Sequence, residues 1–139
     1  MGQIVVGYDG SACGDAALDR ALDLAGELGD QVTVVFGYAP PGLWGGEIAE
    51  HEEAIEELGE MVMAKARSQA AGRGIEIDAQ LVAKRAAEAL IEVAGQRDAR
   101  MIVVGSFGDP PLKGIILGST PNKLLHMSER PVLVVPASS

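Results

Sequence analysis

The chain has 139 residues with 20 acidic side chains and 11 Lys or Arg, a formal net charge of −9 and an apolar fraction of 47%. This length suits one domain over residues 1–139, the hydrophobic content argues against disorder, and no apolar run approaches the roughly 20 residues of a membrane-spanning helix. The acidic excess repels a polyphosphate backbone at long range, so it counts against nucleic acid as a partner and requires any anionic ligand to be held by local geometry.

The first part of the chain alternates predicted strands and helices. Apolar and β-branched residues predict buried strands at residues 3–8 and 31–38. Between them, apolar residues at helical spacing predict a helix over about residues 14–28, and Gly29 supplies its end. Residues 39–46 are rich in proline and glycine and therefore predict a surface loop.

The rest of the chain opens with its longest predicted helix, from residue 47 to about residue 72, which is acidic at its start and basic near its end, as the helix dipole prefers. Its apolar stripe is predicted from five residues: Ile48, Ile55, Leu58, Met61 and Val62. Alternating residues 75–82 predict a strand at a sheet edge. The remaining predicted elements are a helix at 86–96, a strand at 101–104, a loop at 105–119, a helix at about 121–128 and a strand at 131–135.

This alternation of strands and helices, with three nearly all-apolar central strands, predicts a doubly wound α/β domain: a parallel sheet with helices on both faces. Ligands of such domains bind beyond the carboxyl ends of the strands. Three segments meet at that edge of the predicted sheet, namely residues 9–11, 36–39 and 105–119. We therefore expect a ligand site there.

The glycine-rich segment after the fourth predicted strand could hold a phosphate. Gly105 and Gly108 leave backbone N–H groups unobstructed, and a helix that begins at Ser119 adds oriented donors and a positive dipole end. An equally weighted alternative is that these glycines only turn the chain and that Gly118 and Ser119 form an ordinary helix cap. Neither the P-loop motif nor the Rossmann GxGxxG motif is present.

A phosphorelay receiver domain would share this arrangement of strands. Such a domain needs a phosphate-accepting aspartate after its third strand. The chain has Val82, Ala83 and Lys84 at that point, which makes a receiver domain a poor interpretation.

The segment from Gly105 to Ser119 has the spacing G-x2-G-x9-G-[S/T]. Four further stretches stand in a characteristic order: IVVGYDGS at 4–11, AAEALIEVA at 86–94, MIVVGS at 101–106 and KLLHMSERPVLVVP at 123–136. Together they resemble the universal stress protein family over essentially the whole chain. The resemblance implies a five-stranded parallel sheet in the order 3-2-1-4-5 and, in the nucleotide-binding branch, ATP or AMP at the carboxyl edge.

The resemblance also assigns roles to individual residues. It implies that Asp9 lies near adenine and ribose, that the backbone of Phe36 and Gly37 recognises the adenine edge, and that the glycine motif holds ribose and phosphates. The predicted nucleotide-binding residues are Asp9, Gly10, Phe36, Gly37, Gly105, Phe107, Gly108, Gly118, Ser119 and Thr120.

Three functions remain open at this point. The leading hypothesis is a stress-response regulator that binds ATP or AMP, with or without Mg²⁺, as a signal. A slow ATPase or autophosphorylating protein with Ser119 as acceptor is the second, although no His or Asp is spaced to activate a hydroxyl, so we predict no catalytic residue. The third is a protein-interaction module without nucleotide, which Phe107, Asp109 and Pro121 favour because they replace or oppose the usual phosphate contacts.

The last predicted strand begins at Pro131 and ends at Val135, and it is apolar at a sheet edge. Bare edges invite pairing with another chain, so we expect a homodimer formed through this strand, as the family resemblance also implies. The lone Cys13 excludes an internal disulfide, and no signal-peptide pattern is evident. We therefore expect a cytoplasmic location.

Overall fold

A computed structural model of the chain describes residues 2–38, 48–106 and 119–137, with the side chains of residues 48–52 left out. Its elements, numbered in chain order, are β1 Gln3–Gly7, α1 Ala12–Leu28, β2 Gln31–Gly37, α2 Ile48–Ala71, β3 Ile77–Val82, α3 Ala86–Arg97, β4 Met101–Gly105, α4 Ser119–Met127 and β5 Val132–Val135. The predicted loop at 39–46 and most of the glycine-rich segment, residues 107–118, lie outside this description.

The five strands form one parallel sheet in the order β3-β2-β1-β4-β5. Strand β1 lies in the middle, where Val5 pairs with Thr33 of β2 and with Ile102 of β4. This arrangement confirms the predicted fold class and strand order. It also places β3 at one edge, as its alternating sequence predicts, and β5 at the other.

The strands bury apolar side chains on both faces of the sheet because successive residues point to opposite sides. On one face, Ile4 and Val6 pack in a cluster with Leu18 of α1 and Met63 of α2. On the other face, Val5 packs in a second cluster, which also contains Leu90 of α3 and Leu124 of α4. The two helix layers hold the carboxyl ends of the central strands in a fixed arrangement.

Several predicted boundaries are wrong by one or two residues, and local hydrogen bonds explain two of these shifts. Helix α1 begins at Ala12 because the Ser11 hydroxyl accepts a hydrogen bond from the Gly14 N–H and caps the helix. Strand β3 begins at Ile77 because the N–H of Ile75 still bonds to the Ala70 carbonyl at the end of α2. Helix α4 begins at Ser119, before the predicted start, and β4 continues through Gly105.

The predicted apolar stripe of α2 is wrong at two positions. Leu58 is 52% exposed and Met61 is 70% exposed, whereas the buried positions include Val62, Met63 and the small residue Ala66. A prediction based only on the large apolar residues therefore misplaces the buried face of α2, because part of that face is made of alanine. Within the described parts of the chain, no helix combines the length and the apolar character needed to cross a bilayer.

Candidate functional site

A cavity of about 160 Å³ lies at the carboxyl edge of the sheet, where β1, β2 and β4 end. The residues that line it are Gly7, Tyr8, Asp9, Gly14, Val35, Phe36, Gly37, Ala86, Leu90, Val104, Gly105, Ser119, Thr120 and Pro121.

The cavity brings together most of the predicted nucleotide-binding residues that the structure describes, namely Asp9, Phe36, Gly37, Gly105, Ser119 and Thr120. Gly10 is adjacent in the chain but does not line the cavity. Phe107, Gly108 and Gly118 lie outside the described residues.

Asp9 both caps a turn and faces the cavity. Its Oδ1 accepts hydrogen bonds from the Ser11 N–H at 2.9 Å and from the Ser11 hydroxyl at 2.5 Å. The same hydroxyl accepts the Gly14 N–H at 3.1 Å, so Asp9 helps to hold the first turn of α1. Asp9 is nevertheless exposed and lines the cavity. It therefore stabilises the turn and also lies at the edge where a ligand would bind.

Three glycines at this edge are required by the backbone itself. Gly10 has a φ of +81°, a left-handed backbone conformation that residues with a Cβ rarely adopt. A Cβ on Gly37 would lie 2.8 Å from the Ala86 Cα, and one on Gly105 would lie 2.7 Å from the Cys13 carbonyl carbon. Gly37 and Gly105 thus let the ends of β2 and β4 approach helices α3 and α1 closely, a role that the sequence motif does not reveal.

The lining of the cavity divides into an apolar part and a polar part. Val35, Leu90 and Val104 are apolar lining residues that are almost fully buried, while the lining residues Ser119 and Thr120 carry hydroxyls. The first turns of α1, α3 and α4 all contribute lining residues, so the positive ends of three helix dipoles lie beside the cavity. Such a site suits a ligand with an uncharged ring and an anionic group, even in an acidic protein.

A polar network behind the cavity was missed by the sequence interpretation. The Tyr8 hydroxyl donates a hydrogen bond to Asp15 Oδ1 at 2.6 Å, and the Lys65 ammonium donates to Asp15 Oδ2 at 3.2 Å and to the Gly10 carbonyl at 2.9 Å. Burial first, and then the bond to the Asp15 carboxylate, raise the pKa of Tyr8 well above its ordinary value of 10.0. Lys65 is 55 residues from Gly10 in sequence, and no local pattern predicts their contact.

The family comparison covers nearly the whole chain. The Universal stress protein family model matches residues 1–136. Universal stress protein MJ0531 of Methanocaldococcus jannaschii is 28% identical over 141 residues, which cover 96% of this chain and 81% of that protein.

Among the solved structures of similar fold, two bear directly on this chain. Hypothetical protein MJ0577 superposes with a TM-score of 0.87 at 21% identity, over 99% of this chain and 97% of that one, which supports the fold alone. A universal stress protein in complex with cAMP has a TM-score of 0.74 at 26% identity, over 99% and 98% of the two chains. With the family match over residues 1–136 and the five-stranded fold, this chain belongs to the universal stress protein family.

Proposed function

We propose that this stress protein binds an adenine nucleotide, ATP or AMP, in the cavity at the carboxyl edge of its sheet. The observation that carries the proposal is that one cavity is lined by Asp9, by Gly37, by Gly105 and by Ser119 and Thr120 at the start of α4. Nucleotides of doubly wound domains bind at this edge. The family member in complex with cAMP adds support, because cAMP is itself an adenine nucleotide.

The proposed ligand would lie across the cavity from Asp9 to Ser119. The base would contact Phe36 and Gly37 at the end of β2, which line the cavity and are partly exposed, and the Asp9 carboxylate would accept hydrogen bonds from ribose hydroxyls. The cavity, about 160 Å³, is smaller than the roughly 300–1,000 Å³ of pockets that enclose a whole drug-sized ligand. The described residues would therefore enclose only part of the nucleotide, and its phosphates would extend toward the start of α4.

We propose that the nucleotide acts as a bound signal and is not a substrate that the protein rapidly turns over. Among the described residues that line the cavity, only Asp9 and Tyr8 carry titratable side chains; the Asp9 Oδ1 accepts two hydrogen bonds from Ser11, and the Tyr8 hydroxyl donates to Asp15. General base catalysis requires a group free to take a proton from the attacking water or hydroxyl. The lining thus supports binding better than hydrolysis.

A double variant, Ser119→Ala with Thr120→Val, tests the proposal at the phosphate end. Hydrogen bonds to charged groups contribute about 1.5–3 kcal/mol, so the affinity for AMP and Mg-ATP should fall by roughly tenfold or more. Ser68→Ala is the matched control, because Ser68 is an exposed helical serine on α2 that does not line the cavity. Calorimetric titration of the three proteins measures the dissociation constants.

Two results would count against the proposal. If the double variant binds as tightly as the Ser68→Ala control, the start of α4 does not hold the phosphates. If the unaltered protein gives no binding heat at millimolar AMP or Mg-ATP, the interpretation as an interaction module without nucleotide replaces the proposed function.

We also propose that two copies of the chain pair through β5. The carbonyls of Pro131 and Val135 accept hydrogen bonds from Ile102 and Ser106 of the β4 segment. Because backbone groups alternate in direction along a strand, those of Val132 and Val134 point to the outer edge of the sheet. An apolar edge strand of this kind is suited to pairing with a second copy.

A further inference from the structure

We propose that Lys65 is a positioning residue for the nucleotide site, acting through the loop formed by residues 9–11. The Lys65 ammonium, on α2, donates hydrogen bonds to the Gly10 carbonyl at 2.9 Å and to Asp15 at 3.2 Å. Its effect on a ligand rests on the proposed nucleotide binding, whereas its effect on the loop does not.

The contact with Gly10 controls the orientation of one peptide group. The Gly10 carbonyl and the Ser11 N–H belong to the same planar peptide unit. Lys65 binds the carbonyl side of this unit, and Asp9 Oδ1 accepts the N–H on the other side at 2.9 Å. Fixing the carbonyl therefore fixes the direction of the N–H that holds the Asp9 carboxylate at the cavity.

The surrounding groups keep the Lys65 ammonium in place. Asp15 accepts its second hydrogen bond, and the other oxygen of Asp15 is held by the hydroxyl of Tyr8, which is only 3% exposed. Val62 stands one turn before Lys65 on α2 and also packs beside Gly10, where an added Cβ would lie 3.7 Å from its Cγ2. Helix α2 thus reaches the 9–11 loop through both an apolar and a polar contact.

A positioning role and a general structural role predict different results. The side chain of Lys65 is 52% exposed, and exposed ion pairs contribute little to stability. Loss of the ammonium should therefore leave the unfolding midpoint nearly unchanged while it loosens the 9–11 loop. The loosened loop no longer holds Asp9 in one orientation, which lowers the affinity for the ligand.

Lys65→Met removes the ammonium and keeps the aliphatic stem. Arg67→Gln is the matched control, because Arg67 is an exposed cation on the same helix without an ion pair among the described residues, and its loss changes the net charge equally. Loss of one hydrogen bond predicts that AMP affinity falls and that the Ser11 amide hydrogen exchanges faster in Lys65→Met, each by about three- to tenfold. Lys65→Arg should restore much of the AMP affinity and of the slow Ser11 exchange, and Arg67→Gln should change neither quantity.

Hydrogen exchange followed by NMR and calorimetric titration with AMP measure the two effects separately. Equal Ser11 exchange rates in Lys65→Met and Arg67→Gln would overturn the inference, whatever the affinities. Failure of the unaltered protein to bind AMP would instead overturn the proposed nucleotide function, and the Ser11 exchange rate would still decide whether Lys65 holds the loop.

Discussion

Replacing Gly37 with alanine should destabilise the fold at the point where β2 meets α3. The added methyl carbon would lie 2.8 Å from the Ala86 Cα, 2.9 Å from the Lys84 carbonyl oxygen and 3.0 Å from the Ala89 Cβ. Two of these neighbours are backbone atoms, so the overlap is relieved only if α3 shifts away from the sheet. Overpacking of this kind costs roughly 1–3 kcal/mol in the free energy of unfolding.

Gly26→Ala provides the matched control for this change. Gly26 lies on α1 with nothing within 4 Å of an added Cβ, and alanine in a helix is more stable than glycine by about 0.5–1 kcal/mol. The same substitution should therefore lower the free energy of unfolding at Gly37 and raise it at Gly26. Urea unfolding followed by circular dichroism measures both. Equal or higher stability of Gly37→Ala relative to Gly26→Ala would refute the packing argument.

Two further predictions concern Tyr8 and β5. Because the pKa of Tyr8 is raised in the fold, the unfolded chain loses this proton first, so stability should fall above pH 10 by up to about 1.4 kcal/mol per pH unit. In urea unfolding between pH 9 and pH 11, the free energy of unfolding of Tyr8→Phe should lack this fall with pH. Equal slopes for Tyr8→Phe and the unaltered protein would contradict the burial argument. Sedimentation at micromolar concentration should give a dimer, and a species of monomer mass alone would exclude pairing through β5.

The sequence predicts the order and type of the elements because the strands carry continuous apolar runs and most helices carry regular apolar spacing. The position of the cavity follows from the fold class, since parallel strands present their carboxyl ends at one edge. The family resemblance then names residues from three distant segments, and the structure brings Asp9, Gly37 and Ser119 around one cavity. These features depend on local patterns and on general rules of topology.

Other features depend on which distant residues meet, and local patterns do not encode them. Leu58 and Met61 have the spacing of a buried stripe, yet small alanines allow a different face of α2 to approach the sheet. The bond from Lys65 to Gly10 joins residues 55 apart, and the close packing of Gly37 on Ala86 depends on the crossing of β2 and α3. The cytoplasmic location, the choice between ATP and AMP, and turnover of ATP stay predictions.

Chemical-shift mapping of backbone amides during titration with AMP tests most directly whether an adenine nucleotide binds at the carboxyl edge. The proposal predicts saturable shifts at Gly37, Gly105 and Thr120, which line the cavity. Amides at the opposite edge, such as that of Gln31, which bonds to the Gly2 carbonyl, should not move. Shifts confined to that opposite edge, or no shifts at millimolar AMP, would contradict nucleotide binding at this site.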